Sequence, residues 1–412
     1  MGLYSIRMDS LIQVLAVALD MVEKSFLGAS TNHGKRIAVL CAAMGRRFGM
    51  SEPEISDLVS CALLHDNALT EYILLQEGRE EDDPFFGLHC EIGQQNVSVL
   101  PFNGNIDGYI LYHHEQADGQ GPFRLSEGQY PLGAEIIAAA DMIDAQLHLD
   151  SITVNELQSL RNDIKSQIHI CLTKRAGDAV LDILDQDMLA SLQNDAIITT
   201  VNKNIPAWTM EINNPALISF AGIISRIIDY KSVSTGIHTQ QIANRSWIMA
   251  EYYGYDFTEK IRLYLAAALH DIGKLAIPSE ILEKPGKLDH DEFEIIKTHI
   301  VQTRALLSAM DGLGPITEWA SNHHEKLDGS GYPLGKNAEK LDFNSRLMTC
   351  IDIYQAVSEK RPYHPRRTHN ESMQILISMA EKGQIDPAIV NDMDKVMADW
   401  SERDVEMPTG VN

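Results

Sequence analysis

Apolar residues recur along the chain at helical rather than strand spacing. From Ser10 to about Lys24 the set Leu11, Val14, Leu15, Ala18, Leu19 and Val22 marks one face of an amphipathic helix. After a break at Gly28 to Asn32, His33 opens a second helical pattern through Ile37, Leu40, Cys41 and Met44, closed near Gly49. Ser51-Glu52-Pro53-Glu54 starts a third, which runs into Leu63-Leu64-His65-Asp66. Ser151 to about Leu192 is again helical in pattern, Leu217 to Ile228 repeats the role of the first helix, and Arg366 to Met397 reads as one or two closing helices. No convincing alternating strand emerges. The Asn- and Pro-rich stretch Thr199 to Asn214 is the best linker, which divides the chain into domains 1–203 and 204–412.

The polar positions repeat. His33 to His65 spans 32 residues and so does His238 to His270; His89 to His113 spans 24 and so does His299 to His323. Ala62-Leu63-Leu64-His65-Asp66 matches Ala267-Ala268-Leu269-His270-Asp271, and His113-His114-Glu115 matches His323-His324-Glu325. His114 to Asp141 is 27 residues against 28 for His324 to Asp352. The pattern is that of a tandem duplication, so the expected fold is all-α, two helical bundles in series. The first copy is shorter where the second carries Lys284-Pro285-Gly286-Lys287-Leu288, has Leu69 where the second has Lys274, and lacks a counterpart of Tyr332.

Charge narrows the partners. With 34 Lys and Arg against 58 Asp and Glu, the formal charge is −24, which repels a polymeric nucleic-acid backbone. A small phosphorylated ligand stays compatible, because bound cations would reverse the field inside one pocket. The apolar runs are too short to cross a bilayer and Met1 to Ser10 lacks a signal-peptide pattern, which leads to the expectation of a cytoplasmic protein without membrane contact. Five scattered cysteines with no CxxC pair argue for reduced thiols and against a cysteine-based zinc site.

His238, His270, Asp271, His299, His323, His324 and Asp352 are therefore read as metal ligands. Imidazoles with a few carboxylates suit iron, manganese or zinc, and seven ligands exceed what one tetrahedral ion takes. Two ions are expected, with Asp271 bridging them and a hydroxide held between them for in-line attack on phosphorus. Lys274 would add a cation at the same face. The set His33, His65, Asp66, His89, His113, His114 and Asp141 could hold a second metal site.

This series resembles the HD-GYP family of metal-dependent phosphohydrolases over about His238 to His364. The matching residues are His238, His270-Asp271-Ile272-Gly273-Lys274, Ile277-Pro278, Lys284 to Leu288, His299, His323-His324-Glu325, Asp328-Gly329-Ser330-Gly331-Tyr332-Pro333, Asp352 and Arg361-Pro362-Tyr363. The resemblance implies an all-helical fold, hydrolysis of cyclic dinucleotides, chiefly cyclic di-GMP, to linear products, and a non-haem centre of two divalent ions, commonly iron or manganese. The missing lysine and shorter loops of the first copy argue against full activity on the same substrate, so the second copy is read as catalytic and the first as a degenerate HD-GYP-like domain of regulatory or structural use, with a second active site as the alternative. A homodimer or other signalling proteins are the further partners to expect.

Gly331 would let backbone approach the ligand, Tyr332 would shape the loop or stack on a base, and Arg361 would clamp phosphate or guanine. Two departures from the family pattern bear on chemistry. Ser234 stands where some members carry a glutamate for a third metal, which favours two ions. Gln355 stands where the pattern places an aspartate; its amide can donate and accept, as adenine requires, so 3′3′-cGAMP is a candidate substrate beside cyclic di-GMP. The competing readings are a non-catalytic cyclic-dinucleotide sensor and a phosphohydrolase acting on other nucleotides.

Overall fold

The computed structural model describes residues 3–7, 9, 12, 16, 19–20, 32–69, 87–147, 149–204, 209–213, 218–219, 221–223, 225, 238–282, 284, 286–308, 313–359 and 367–398. The chain is built from helices and divides into two compact units, Ile6–Met210 and Met1–Ser5 with Glu211–Asn412. One two-stranded sheet pairs β1 (Leu3–Arg7) with β2 (Thr209–Asn213). Within the stretch expected as linker, residues 199–204 end a helix (Ile197–Asn204) and residues 209–213 form β2. Asn and Pro are common in turns, but Met210 and Ile212 alternate with polar neighbours, and a strand of that length is stabilised only by a partner some 200 residues away in sequence.

In the Ile6–Met210 unit, Ile12, Ala16 and Leu19 are helical and buried, whereas Leu11, Val14, Leu15, Ala18 and Val22 lie outside the described residues. Helix α1 (His33–Arg47) buries Ile37, Leu40, Cys41 and Met44, the i, i+3, i+4, i+7 stripe expected of it. Helix α2 (Glu52–Leu63) packs on α1 and begins with a capping box in which the Ser51 N–H and hydroxyl both donate to Glu54. Helices α3 (Gly87–Ser98) and α4 (Leu132–Leu147) carry His89 and Asp141, two of the repeated polar positions.

The second unit repeats the order. Ile218, Ala221, Ile223 and Ser225 are helical and buried, and α5 (His238–Tyr252) packs on α6 (Phe257–Leu269), which opens on a capping box of Asp256 and Glu259. A 3₁₀ turn (Ile272–Ala276) follows, then α7 (His290–Ser308), α8 (Gly314–Ser321) and α9 (Phe343–Ser358). Two closing helices, His369–Glu381 and Pro387–Met397, cover α9. Among the described residues no helix is long and apolar enough to cross a membrane.

Candidate metal centres

The geometry of each site begins at helix ends. The last carbonyls of a helix have no intrahelical donor. His270, directly after α6, donates from Nδ1 to the Ala267 carbonyl at 2.7 Å, and His323, just past α8, donates to Ala320 at 2.6 Å. His299, inside α7, makes the same bond to Ile296 at 2.6 Å. A carbonyl can only accept, so each of these Nδ1 atoms carries the proton and each Nε2 presents a lone pair.

Those three Nε2 atoms, with Asp271 Oδ1, are buried and lack any hydrogen-bond partner. They converge on Asp271. Its Oδ2 lies 3.0 Å from His270 Nε2, and its Oδ1 lies 3.4 Å from His299 Nε2 and 3.9 Å from His323 Nε2. Asp352, on α9, stands 3.9 Å from both His238 Nε2 and His270 Nε2 and 3.7 Å from His324 Nδ1. All seven predicted positions thus meet in one pocket, as a His238/His270/Asp352 group and a His299/His323/His324 group with Asp271 between them. Unpaired buried acceptors are costly unless something satisfies them, and imidazole lone pairs facing carboxylate oxygens match the donor set of a transition metal. The residues present therefore fit divalent ions.

Electrostatics keeps most of these groups in ligand form. Burial pushes His299 down to about 4, and it holds His323 and His324 well below the usual histidine range, with neighbouring histidines adding to the effect. Burial works against the charge on Asp271, but His270 and Lys274 beside it more than compensate and hold its carboxyl well below the usual range. Burial raises Asp352, against the pull of His270. His270 is itself raised: burial opposes its charge, yet the adjacent Asp271 carboxylate prevails. Lys274 Nζ donates to Asp271 Oδ2 at 2.6 Å, and its side chain remains 27% exposed, so it joins the buried cluster while staying partly open to solvent.

The loop after His324 is drawn over the site by Glu325. This buried carboxylate accepts from the Leu334 and Lys336 backbone N–H groups, each at 2.8 Å, and a Cβ at Gly331 would strike Glu325 Cα, the His324 carbonyl and the Lys326 nitrogen. Tyr332 follows with its ring 4.8 Å from that of His324 and 6.2 Å from Phe293. Lys284 is paired with Glu292 at 2.6 Å. Arg361 and Ser234 lie outside the described residues.

Gln355 is fully buried, and both ends of its amide are engaged: Oε1 accepts from Arg245 and Nε2 donates to Gln241 at 2.6 Å. A base contact by Gln355 would have to break both bonds. Two supporting residues were not apparent in the sequence. Glu359 accepts from His238 Nδ1 at 2.9 Å, and Thr303 accepts from the Gly273 N–H while donating to the His270 carbonyl, each at 3.0 Å. Neither belongs to a spaced His/Asp pair; each acts only through a contact made in space.

The Ile6–Met210 unit assembles its own set in the same pattern. Asp66 Oδ2 lies 3.6 Å from His65 Nε2, and Asp66 Oδ1 lies 3.6 Å from His89 Nε2 and 3.7 Å from His113 Nε2. Asp141 reaches His33, His65 and His114 at 3.2, 3.8 and 3.9 Å. His65 and His113 donate from Nδ1 to Ala62 and Ile110, and Glu115 clamps the loop through the Phe123 and Leu125 N–H groups.

Known proteins resemble this chain in sequence and in fold. An HD domain model matches residues 222–389. The chain is 28% identical over 389 residues, 91% of its length and 88% of the relative's, to 3′3′-cGAMP-specific phosphodiesterase 1 of Vibrio cholerae. It is 25% identical to phosphodiesterase 3 of that name and organism, with 90% of each chain covered. A cyclic di-GMP phosphodiesterase of Thermotoga maritima is 34% identical over 39% of this chain and 44% of that one. In fold, the structure resembles the crystal structure of the cyclic GMP-AMP-specific phosphodiesterase V-cGAP3 of Vibrio cholerae, with a TM-score of 0.66 at 22% identity, covering 97% of this chain and 99% of that one. Over residues 222–389 the chain is thus similar to HD domains, and over nine-tenths of its length it is similar to two 3′3′-cGAMP-specific phosphodiesterases.

Proposed function

We propose that the Glu211–Asn412 unit is a metal-dependent phosphodiesterase that opens a cyclic dinucleotide to a linear one, with 3′3′-cGAMP as its preferred ring. The observation that carries the chemistry is Asp271, whose two oxygens face separate histidine groups, with the Nε2 atoms of His270, His299 and His323 left without a hydrogen-bond partner. His238, His270 and Asp352 would hold one divalent ion, His299, His323 and His324 a second, with Asp271 shared. When bound, such ions supply Lewis acidity toward a phosphoryl oxygen and lower the pKa of water, and iron or manganese suits the donor set.

The chain's own residues do the rest. Buried Nδ1–carbonyl bonds fix the direction of His270, His299 and His323 before any ligand arrives, so little reorganisation remains at the moment of reaction. Lys274 can turn from Asp271 Oδ2 toward a phosphate oxygen and offset the charge that builds there as water oxygen bonds to phosphorus and the ester oxygen leaves. Glu325 and Gly331 hold the Tyr332 loop against His324, closing one wall of the pocket.

Preference for 3′3′-cGAMP is supported by the two relatives that align over nine-tenths of the chain, both named for that substrate. It does not rest on Gln355, whose amide is occupied. The first unit, with buried Leu69 at the position of Lys274, is read as a duplicated copy in a supporting or regulatory role. Purified full-length protein loaded with manganese should cleave 3′3′-cGAMP faster than cyclic di-GMP. Faster cleavage of cyclic di-GMP would reverse the substrate assignment, and no cleavage of either ring would remove the phosphodiesterase reading.

A further inference from the structure

The Ile6–Met210 unit presents a complete ligand constellation that the proposed hydrolysis does not use. Its three innermost atoms, His65 Nε2, Asp66 Oδ1 and His113 Nε2, are buried and have no hydrogen-bond partner. His65 and His113 are each 1% exposed and Asp66 is 7% exposed, so water does not replace the missing partners at the surface. A buried acceptor left unmatched costs about 1–3 kcal/mol, and three aimed at one point are hard to reconcile with a purely structural cluster.

The spacing points the same way. His65, His89 and His113 approach the Asp66 oxygens at 3.6 to 3.7 Å. That exceeds a hydrogen bond, yet it is close to the separation of about 3–3.5 Å between two atoms bound to one ion at about 2.0–2.2 Å each. The seven side chains also sort into two groups, His33/His65/Asp141 and His89/His113/His114 with neighbouring Cys90, and Asp66 lies between them. His33 is pinned from behind by Asp144, which accepts from its Nδ1 at 2.6 Å and is itself held by Arg36 Nε at 2.6 Å. A buried carboxylate on the far nitrogen of a histidine orients it as a ligand.

Other features distinguish this site from a hydrolytic one. Leu69, 3% exposed, occupies the position of Lys274, so the cation proposed to meet phosphate is missing. In the loop that carries Tyr332 in the second unit, the first unit has Pro122 and Phe123, and the Phe123 ring packs against Tyr112 at 5.5 Å.

We propose that the Ile6–Met210 unit holds its own pair of transition-metal ions in a self-contained centre that does not hydrolyse cyclic dinucleotides. The test uses the full chain, stripped with chelator, reloaded with Mn²⁺, desalted and assayed for bound manganese by mass spectrometry. His65→Asn with Asp66→Asn should lose about half of the wild-type manganese, as should His270→Asn with Asp271→Asn, because each change removes a histidine of one ligand group and the aspartate that stands between both groups of its site. Wild-type manganese content in the His65→Asn/Asp66→Asn protein would overturn the proposal.

A second measurement does not depend on that variant folding. In the His270→Asn/Asp271→Asn protein, Mn²⁺ should slow amide exchange across His33–Arg47 at least tenfold, and unchanged exchange would also overturn the proposal. Clear turnover of 3′3′-cGAMP by that manganese-loaded variant would overturn the non-hydrolytic assignment. Metal content and amide exchange are read without substrate, so their failure is distinct from failure of the phosphodiesterase reading.

Discussion

His33 and His238 are both held by a carboxylate on the Nδ1 side, yet the two carboxylates come from different helical positions. In the first unit it is Asp144, three residues after Asp141, and Arg36 neutralises it. In the second unit that position is Gln355 and the residue matching Arg36 is Gln241, so a buried ion pair is replaced by an amide pair joined at 2.6 Å. The orienting role passes to Glu359, one turn further along, at 2.9 Å. Asp352 and Gln355 lie one turn apart on α9 and Glu359 caps its end, and the bond to Glu359 keeps His238 aimed inward. Glu359→Ala should leave the metal-free protein as stable as wild type within about 1 kcal/mol. It should weaken Mn²⁺ binding about 10–100-fold, since a supporting carboxylate typically contributes that much. Titration with Mn²⁺ beside a urea melt in chelator would separate the two effects, and unchanged affinity would remove Glu359 from the site.

At the scale of elements, the recurring device is a helix end that supplies the acceptor for a ligand histidine: the carbonyls of Ala62, Ala267 and Ala320 each accept a hydrogen bond from the imidazole Nδ1 three residues on. The turn after His270 sits on α7 because Gly273 has no side chain to meet the His299 carbonyl and the Thr303 nitrogen. In the first unit Ala68 stands at the Gly273 position and the glycine is on the other side of the contact, at Gly93, where a Cβ would press on Ile110 and Asn67. The loop at Gly331 is as tight, and its neighbours are backbone atoms that cannot move aside. Gly331→Ala should therefore cost about 1–3 kcal/mol in a urea melt, whereas Gly314→Ala, with open space around it, should be near neutral.

Helices α7 and α8 are also tied by charge. The Arg304 hydrogen bond and the Lys336 contact, prevailing over partial burial, lower the Glu318 carboxyl to about 2 from 4.5. A carboxyl depressed in the folded state stabilises fully above its unfolded value, and that stabilisation is lost as pH falls through the folded one. Glu318→Gln should destabilise at pH 7, with the difference from wild type shrinking between pH 4.5 and about 2. A pH-independent difference in melting temperature would contradict this origin.

For the whole molecule, two compact units each gather five histidines and two aspartates, despite a net charge of −24 that opposes compaction. Helical periodicity, the Ser51 start and the repeated 32- and 24-residue intervals were legible without coordinates, because they depend on local backbone geometry and on spacing along the chain. The β1–β2 pairing was not, since each strand gains its hydrogen bonds from a segment remote in sequence. Nor was the fate of Gln355: its amide type suggested a base contact, but only the packing of α9 against α5 shows Arg245 and Gln241 enclosing it. By itself the sequence determined which residues can be ligands and that they come in two matched sets, because residue type and spacing are properties of the chain. Tertiary structure alone decided that Asp66 and Asp271 each stand between two histidine groups, that Glu359 replaces a lost aspartate and that Glu325 closes the loop. Those relations arise from directions and distances in space, which no spacing along the chain specifies.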